Sequence, residues 1–242
     1  VPHIQPPEVT LFVTFRLDGS IPKPVLEQWR REKKRLEAEH LRQAAIAPSR
    51  TILDPEERRE EQLSFQRRWF RKFEDLLHGE ATGPVWLKDE RMAAIVAGAL
   101  HYLDSKVYRL DAYCIMPNHV HTVFAPLLTE EMARRLANKR IAERARLRAR
   151  GGERKTQTES LRNGGDDPVL ASIMQSLKGY TARQCNLLLE RRGTFWEHES
   201  FDHVVRNPQE WERIVAYVLN NPVKARLVKN WQDWEWSYRR QS

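Results

Sequence analysis

His119 and His121 stand one residue apart in Tyr113-Cys-Ile-Met-Pro-Asn-His-Val-His-Thr-Val-Phe124, a run rich in β-branched and aromatic residues. Side chains two apart on a strand share a face. The two imidazoles should therefore stand side by side, with Val120 and Thr122 on the other face. A neutral imidazole is the commonest nitrogen ligand for a divalent metal, so the pair reads as one half of a metal site. The plainer alternative is two polar residues on a half-exposed sheet face. Met116-Pro117-Asn118, just ahead, reads as a tight turn, because Pro fixes φ and Asn suits turn positions. The expectation is a hairpin whose second strand opens on a two-histidine clamp.

The elements that must hold this clamp follow from the patterning. Residues 9–17 alternate Leu11, Val13, Phe15 and Leu17 against Phe12, Thr14 and Arg16, a strand ended by Asp18-Gly19. Residues 22–77 are helical in composition, with mixed charges, and carry Trp29 and Leu36, then Trp69, Phe70 and Phe73. They suggest a solvated helical pair. Met92, Ile95, Val96, Ala99, Leu100 and Leu103 have the spacing of an amphipathic helix. Strands are expected at 107–115 and 119–125. Pro168 opens a helix to about Arg191 with Leu170, Met174, Leu177, Thr181 and Leu188 as its buried stripe. Tyr180 and Gln184 lie one turn apart on its flank. A fourth strand is expected at 200–205. Asn207 caps a further helix with Pro208 at its first position, and Asn220-Asn221-Pro222 should stop it. The tryptophans of 231–236 should pack back on the domain. The order β-α-β-β-α-β is the ferredoxin-like α+β pattern. It is expected as one domain over residues 1–242, with insertions at about 22–78 and 129–167 and a C-terminal extension from 207. A metal-bearing (β/α) barrel with His-x-His on an early strand would need alternating strands and helices over ~250 residues. Here the pair is mid-chain, flanked by long charged helical stretches.

The chain has 242 residues, a formal charge of +8 and a sequence pI of ≈ 9.6, which points to a polyanionic partner, nucleic acid first. Residues 134–155 hold ten basic and two acidic side chains, an excess of +8, so this run equals the charge of the whole chain. It reads as a basic helix before a flexible loop. Cys114 and Cys185 form no CxxC pattern, as in a reduced, cytosolic protein without a zinc finger. No apolar run approaches a membrane span, and the first residues show no signal-peptide pattern.

Asn118-His-Val-His121, Ser176-Leu-Lys-Gly-Tyr-Thr-Ala-Arg-Gln184, Phe195-Trp196, Phe201-Asp-His-Val-Val-Arg206 and Asn220-Asn-Pro-Val-Lys224, in this order, resemble the REP-associated tyrosine transposases within the single-tyrosine HUH transposases and nucleases. The resemblance runs from about Val9 to the C-terminus, and the two insertions match poorly. It implies that His119, His121 and Gln184 hold Mg²⁺ or Mn²⁺ and that Tyr180 attacks a phosphate of single-stranded or hairpin DNA. The products would be a 5′-phosphotyrosine link and a free 3′-OH. A phenol of pKa near 10 is a poor nucleophile at neutral pH, and the metal with Lys178 or Arg183 would supply the positive charge it needs. Expected nucleic-acid contacts are Lys178, Arg183 and Arg206, with Arg140 and Arg144 of the basic run. The implied protein is a bacterial, cytoplasmic, nucleoid-associated monomer or homodimer. The alternative is a binding module that holds DNA hairpins without cutting them. An RNA-binding domain of the same fold would want an RNP-like run, which is lacking.

Overall fold

The computed structural model describes residues 9–46, 83–127 and 168–241, with positions 64, 68, 70, 72 and 74–77. The basic run 134–155, including Arg140 and Arg144, lies outside the described residues. The chain divides into two compact units, Val1–Leu17 with Trp86–Ser242, and Asp18–Val85.

The first unit is built on one antiparallel sheet. Its strands are β1 (Leu11–Arg16), β2 (Tyr108–Ile115), β3 (His119–Pro126), β4 (Phe201–Val204) and β5 (Ser237–Arg239). The spatial order is β4-β1-β3-β2-β5, and every pairing is antiparallel. The first four strands have the ferredoxin-like order, so the expected α+β architecture is the observed one. Every residue of β1 and β3 is buried, as central strands covered on both faces must be.

One face carries the main core. Leu11, Val13 and Phe15 of β1, Leu110 and Ile115 of β2, and Val120 and Phe124 of β3 pack there. Two helices cover it. Met92, Ala93, Val96 and Leu100 come from α2 (Glu90–Leu103), and Leu170, Ile173, Met174, Leu177 and Cys185 from α3 (Pro168–Leu188). The apolar spacing read from the sequence is the contact stripe of α2 and most of that of α3, where Leu188 is instead 41% exposed and Ile173 and Cys185 join the core. Asp89 caps α2, its carboxylate accepting from the Arg91 N–H at 2.9 Å.

The opposite face is covered by α4 (Pro208–Lys224). Asn207 caps it as expected, accepting from the Glu210 N–H at 2.8 Å. The expected stop at Asn220-Asn221-Pro222 is wrong, because α4 runs through Pro222 to Lys224. Proline removes a single N–H from the ladder. The last turn closes around that gap through Ala225 N–H to Asn221 O and Leu227 N–H to Pro222 O, both 2.9 Å. Asp111 sits at a register shift in β2, and its carboxylate accepts from Trp211 Nε1 of α4 at 2.9 Å. The tryptophan tail does pack back, with Trp234 Nε1 donating to Ile115 O at 3.0 Å. The strand β5 that follows is too short to show an alternating pattern.

The second unit holds α1 (Lys23–Ile46). Leu26, Ile21 and Leu77 form a small cluster backed by Trp29, and Lys72 pairs with Glu32 at 2.7 Å. A Cβ on Gly83 would lie 2.3 Å from the Gly19 carbonyl oxygen, so the unit's two ends run side by side and only glycine allows the approach. No helix among the described residues is long and apolar enough to cross a membrane.

Candidate metal and strand-cleavage site

The period-2 alternation of β3 decides the site. Val120 and Phe124 point into the main core, so His119 and His121 point to the α4 face. Register adds the neighbours. Thr14 of β1 and Cys114 of β2 flank His121, and Arg16 is opposite His119. Phe12, one pleat along β1, stacks on His121 at 5.9 Å between ring centroids.

Both imidazoles are buried, at 1% and 0% exposure, which rules out the half-exposed sheet-face reading. Their Nε2 atoms lie 3.0 Å apart. Each Nδ1 is engaged elsewhere. His119 Nδ1 donates to Asn118 Oδ1 at 2.6 Å, since an amide oxygen only accepts. That fixes the tautomer and leaves an Nε2 lone pair. His121 Nδ1 is 2.8 Å from Thr14 Oγ1, a hydroxyl able to accept in the same sense. Such outer partners orient metal-binding imidazoles and raise their basicity. Two donors cis on an octahedral ion at about 2.1 Å stand about 3.0 Å apart. The pair therefore fits a small divalent cation. Thr14→Val keeps the shape but removes the oxygen. It should weaken Mn²⁺ binding about 10- to 100-fold in a calorimetric titration and, by leaving the buried Nδ1 without its oxygen partner, cost about 1–3 kcal/mol of stability.

The aromatic that meets this pair comes from α4. Tyr217 lies 5.6 Å from His121 and 6.1 Å from Phe12 between ring centroids. Asn221, one turn further on, is 1% exposed, so tyrosine and amide share the helix stripe that faces the sheet. Nothing in the composition of α4 singles out Tyr217. The available signal was spacing, because a tyrosine followed four residues later by an amide occurs at Tyr217/Asn221 as well as at Tyr180/Gln184.

The structure does not bring Tyr180 and Gln184 to the histidines. They ride on α3, whose buried stripe packs on the other sheet face. Tyr180 is 56% exposed. Lys178 Nζ donates to the carbonyls of Glu197 at 2.9 Å and His198 at 3.2 Å. Arg183 is exposed on the same helix. Arg206 lies at the start of α4, its N–H donating to Glu210 Oε2 at 2.9 Å. The buried cysteines offer no rival nucleophile, since burial pushes both thiols up to about 12, countered at Cys114 by Ser237 and reinforced at Cys185 by Asp89.

Glu210 anchors α4 over this face. Its Oε1 accepts from His203 Nε2 at 3.0 Å. Burial pushes its carboxyl up, but the Arg206 N–H, His203 and the Arg206 charge together hold it below the usual range. A carboxyl lowered on folding stabilises above its unfolded pKa of about 4.5, and that contribution fades as pH falls through the folded value. Glu210→Gln should therefore lower stability at pH 7, and the gap to wild type should close in denaturant titrations below about pH 4.

No protein-family model and no curated protein matches this chain. Among solved structures, that of a REP-associated tyrosine transposase bound to a REP hairpin is similar to it with a TM-score of 0.45 and 14% identity, over 98% of this chain and 80% of that one.

Proposed function

We propose that the chain is a metal-dependent single-strand DNA endonuclease and strand transferase acting on single-stranded or hairpin DNA, with Tyr217 as the nucleophile. The observation that carries this reading is the pairing of convergent His119 and His121 Nε2 atoms, 3.0 Å apart, with a tyrosine ring that meets His121 edge-on at 5.6 Å on the same sheet face. The motif order in the sequence supports the same class of chemistry. The tyrosine and amide roles are proposed for Tyr217 and Asn221 in place of Tyr180 and Gln184, a reading supported by the Tyr217–His121 ring contact at 5.6 Å.

His119 and His121 would hold Mg²⁺ or Mn²⁺, with the Asn221 amide as a further oxygen donor. When bound, such an ion draws negative charge from the scissile phosphate and favours ionisation of a nearby oxygen. Asn118 and Thr14 fix the two rings, so no reorganisation is needed as charge develops. Phe12 closes one side of the pair to water. The Tyr217 oxygen forms a bond to phosphorus and gives up its proton, and the bond from phosphorus to the 3′ oxygen breaks. That oxygen leaves as a 3′-OH, and the phosphate stays on tyrosine as a 5′-phosphodiester. Attack by another 3′-OH runs the same exchange backwards, so strands are joined without a nucleotide cofactor.

The test is incubation with labelled single-stranded DNA from the flanks of the gene plus Mn²⁺, followed by denaturing gels. A labelled band at protein mass is expected. Cleavage with no protein-linked label would instead mean a water nucleophile, and binding alone would mean a hairpin-holding module. The basic run 134–155 is proposed to supply much of the non-specific affinity. Its deletion should lower the salt slope by about 0.7 per lost phosphate contact on single strands, measured by fluorescence anisotropy across salt. An unchanged slope would make the run a solvated arm.

A further inference from the structure

Arg16 closes β1 on the same sheet face as the histidines. It is the directly opposed partner of His119, and such partners have Cβ atoms about 5 Å apart. Arg16 is 3% exposed, and arginine is almost never buried to that degree unless paired. Its Nη2 lies 3.4 Å from Glu197 Oε2, and the Glu197 N–H donates to the Arg16 carbonyl at 2.9 Å. Trp196, bridged to Leu17, points into the main core. Glu197 therefore turns to the histidine face.

Lys178 approaches the same glutamate through its backbone carbonyl. Burial pushes its ammonium down to about 8, Glu197 draws it back up, and Arg16 pushes it down again. Two cations thus gather at the end of the sheet where the first histidine stands. At 3.4 Å the Arg16–Glu197 pair is looser than a charge-assisted hydrogen bond of about 2.7–2.9 Å. A buried ion pair is a weak source of stability, whereas a guanidinium fork matches two oxygens of one phosphate.

We propose that Arg16 is a phosphate-holding residue of this site, its guanidinium donating to a non-bridging oxygen of the scissile phosphate, and that Glu197 holds the guanidinium until DNA is bound. The proposal rests on the strand-transfer reading. Arg16 lies on the strand paired to the histidine strand, on the histidine face, where a phosphate at that pair would present its oxygens. Glu197 yields to the phosphate when DNA arrives.

The experiment uses the full chain and the single-stranded oligonucleotide it cuts. A second oligonucleotide carries a neutral methylphosphonate at the mapped linkage. With chelator present, so that no cutting occurs, wild type should bind the phosphate form about tenfold more tightly. Arg16→Gln should lose this preference, and Arg16→Lys should restore part of it. With Mn²⁺, Arg16→Gln should slow adduct formation about 100-fold, with Mn²⁺ affinity unchanged. Glu197→Gln, which leaves Arg16 in place, should raise affinity for the phosphate form severalfold. An Arg16→Gln protein that keeps the preference and the rate overturns the proposal and leaves strand transfer standing. So does a Glu197→Gln protein with weaker phosphate binding, even if Arg16→Gln fails to fold. A wild-type protein that forms no adduct overturns the strand-transfer reading, and the role of Arg16 falls with it.

Discussion

Tyr217→Phe should abolish the covalent protein–DNA adduct and slow cleavage on the order of 10⁴-fold or more, as loss of a nucleophile does elsewhere. Phenylalanine keeps the ring that meets His121 at 5.6 Å and Phe12 at 6.1 Å, so α4 should still dock and DNA should still bind. The paired control is Tyr180→Phe. That ring is 56% exposed on α3, whose buried stripe packs on the sheet face away from the histidines. Cleavage by this variant should stay within about threefold of wild type, inside the spread of a surface change. Single-turnover gels with matched thermal midpoints separate the two outcomes. The reverse result, with Tyr180→Phe inactive and Tyr217→Phe active, would return the nucleophile to α3.

His121→Ala should be nearly as damaging to cleavage, on the order of 10³-fold or more, by another route. It removes one of two convergent nitrogens and leaves the Thr14 hydroxyl without its 2.8 Å partner. His121 is fully buried, so truncation also opens a cavity beneath Phe12. A stability loss of about 1–3 kcal/mol is expected, visible in urea titrations. The two defects differ in kind. Raised Mn²⁺ should restore part of the His121→Ala activity, because the remaining donors still bind weakly. It should restore none in Tyr217→Phe, where the missing atom is the attacking one. Equal rescue of both would argue against separate metal and nucleophile roles.

The scaffold was legible because its signals are local. The alternation in β1 and β3, the Asn207-Pro208 cap and the apolar stripe of α3 each depend on a few neighbouring residues. The histidine pair followed from the same period-2 rule. The proposed tyrosine half of the site did not, because it depends on which sheet face a helix covers. A tyrosine with an amide four residues on is equally well spaced on α3 and on α4, and spacing on one helix is silent about the opposite wall. Sheet topology is what favours the proposed assignment, because in a β-α-β-β-α-β chain α2 and α3 share one face and leave the other, where the histidines stand, to α4. Pro222 misled in a related way, since it reads as a stop although a single missing N–H near the last turn is tolerated. The burial of Arg16 was hidden for the same reason, because its partner Glu197 lies 181 residues away in the chain.

The most direct measurement is to digest the covalent adduct and identify the modified peptide by mass spectrometry. The expected product is a nucleotide-bearing peptide that contains Tyr217, with the mass of a 5′-phosphodiester on the phenolic oxygen. A nucleotide found on Tyr180, or on any residue outside α4, would contradict it.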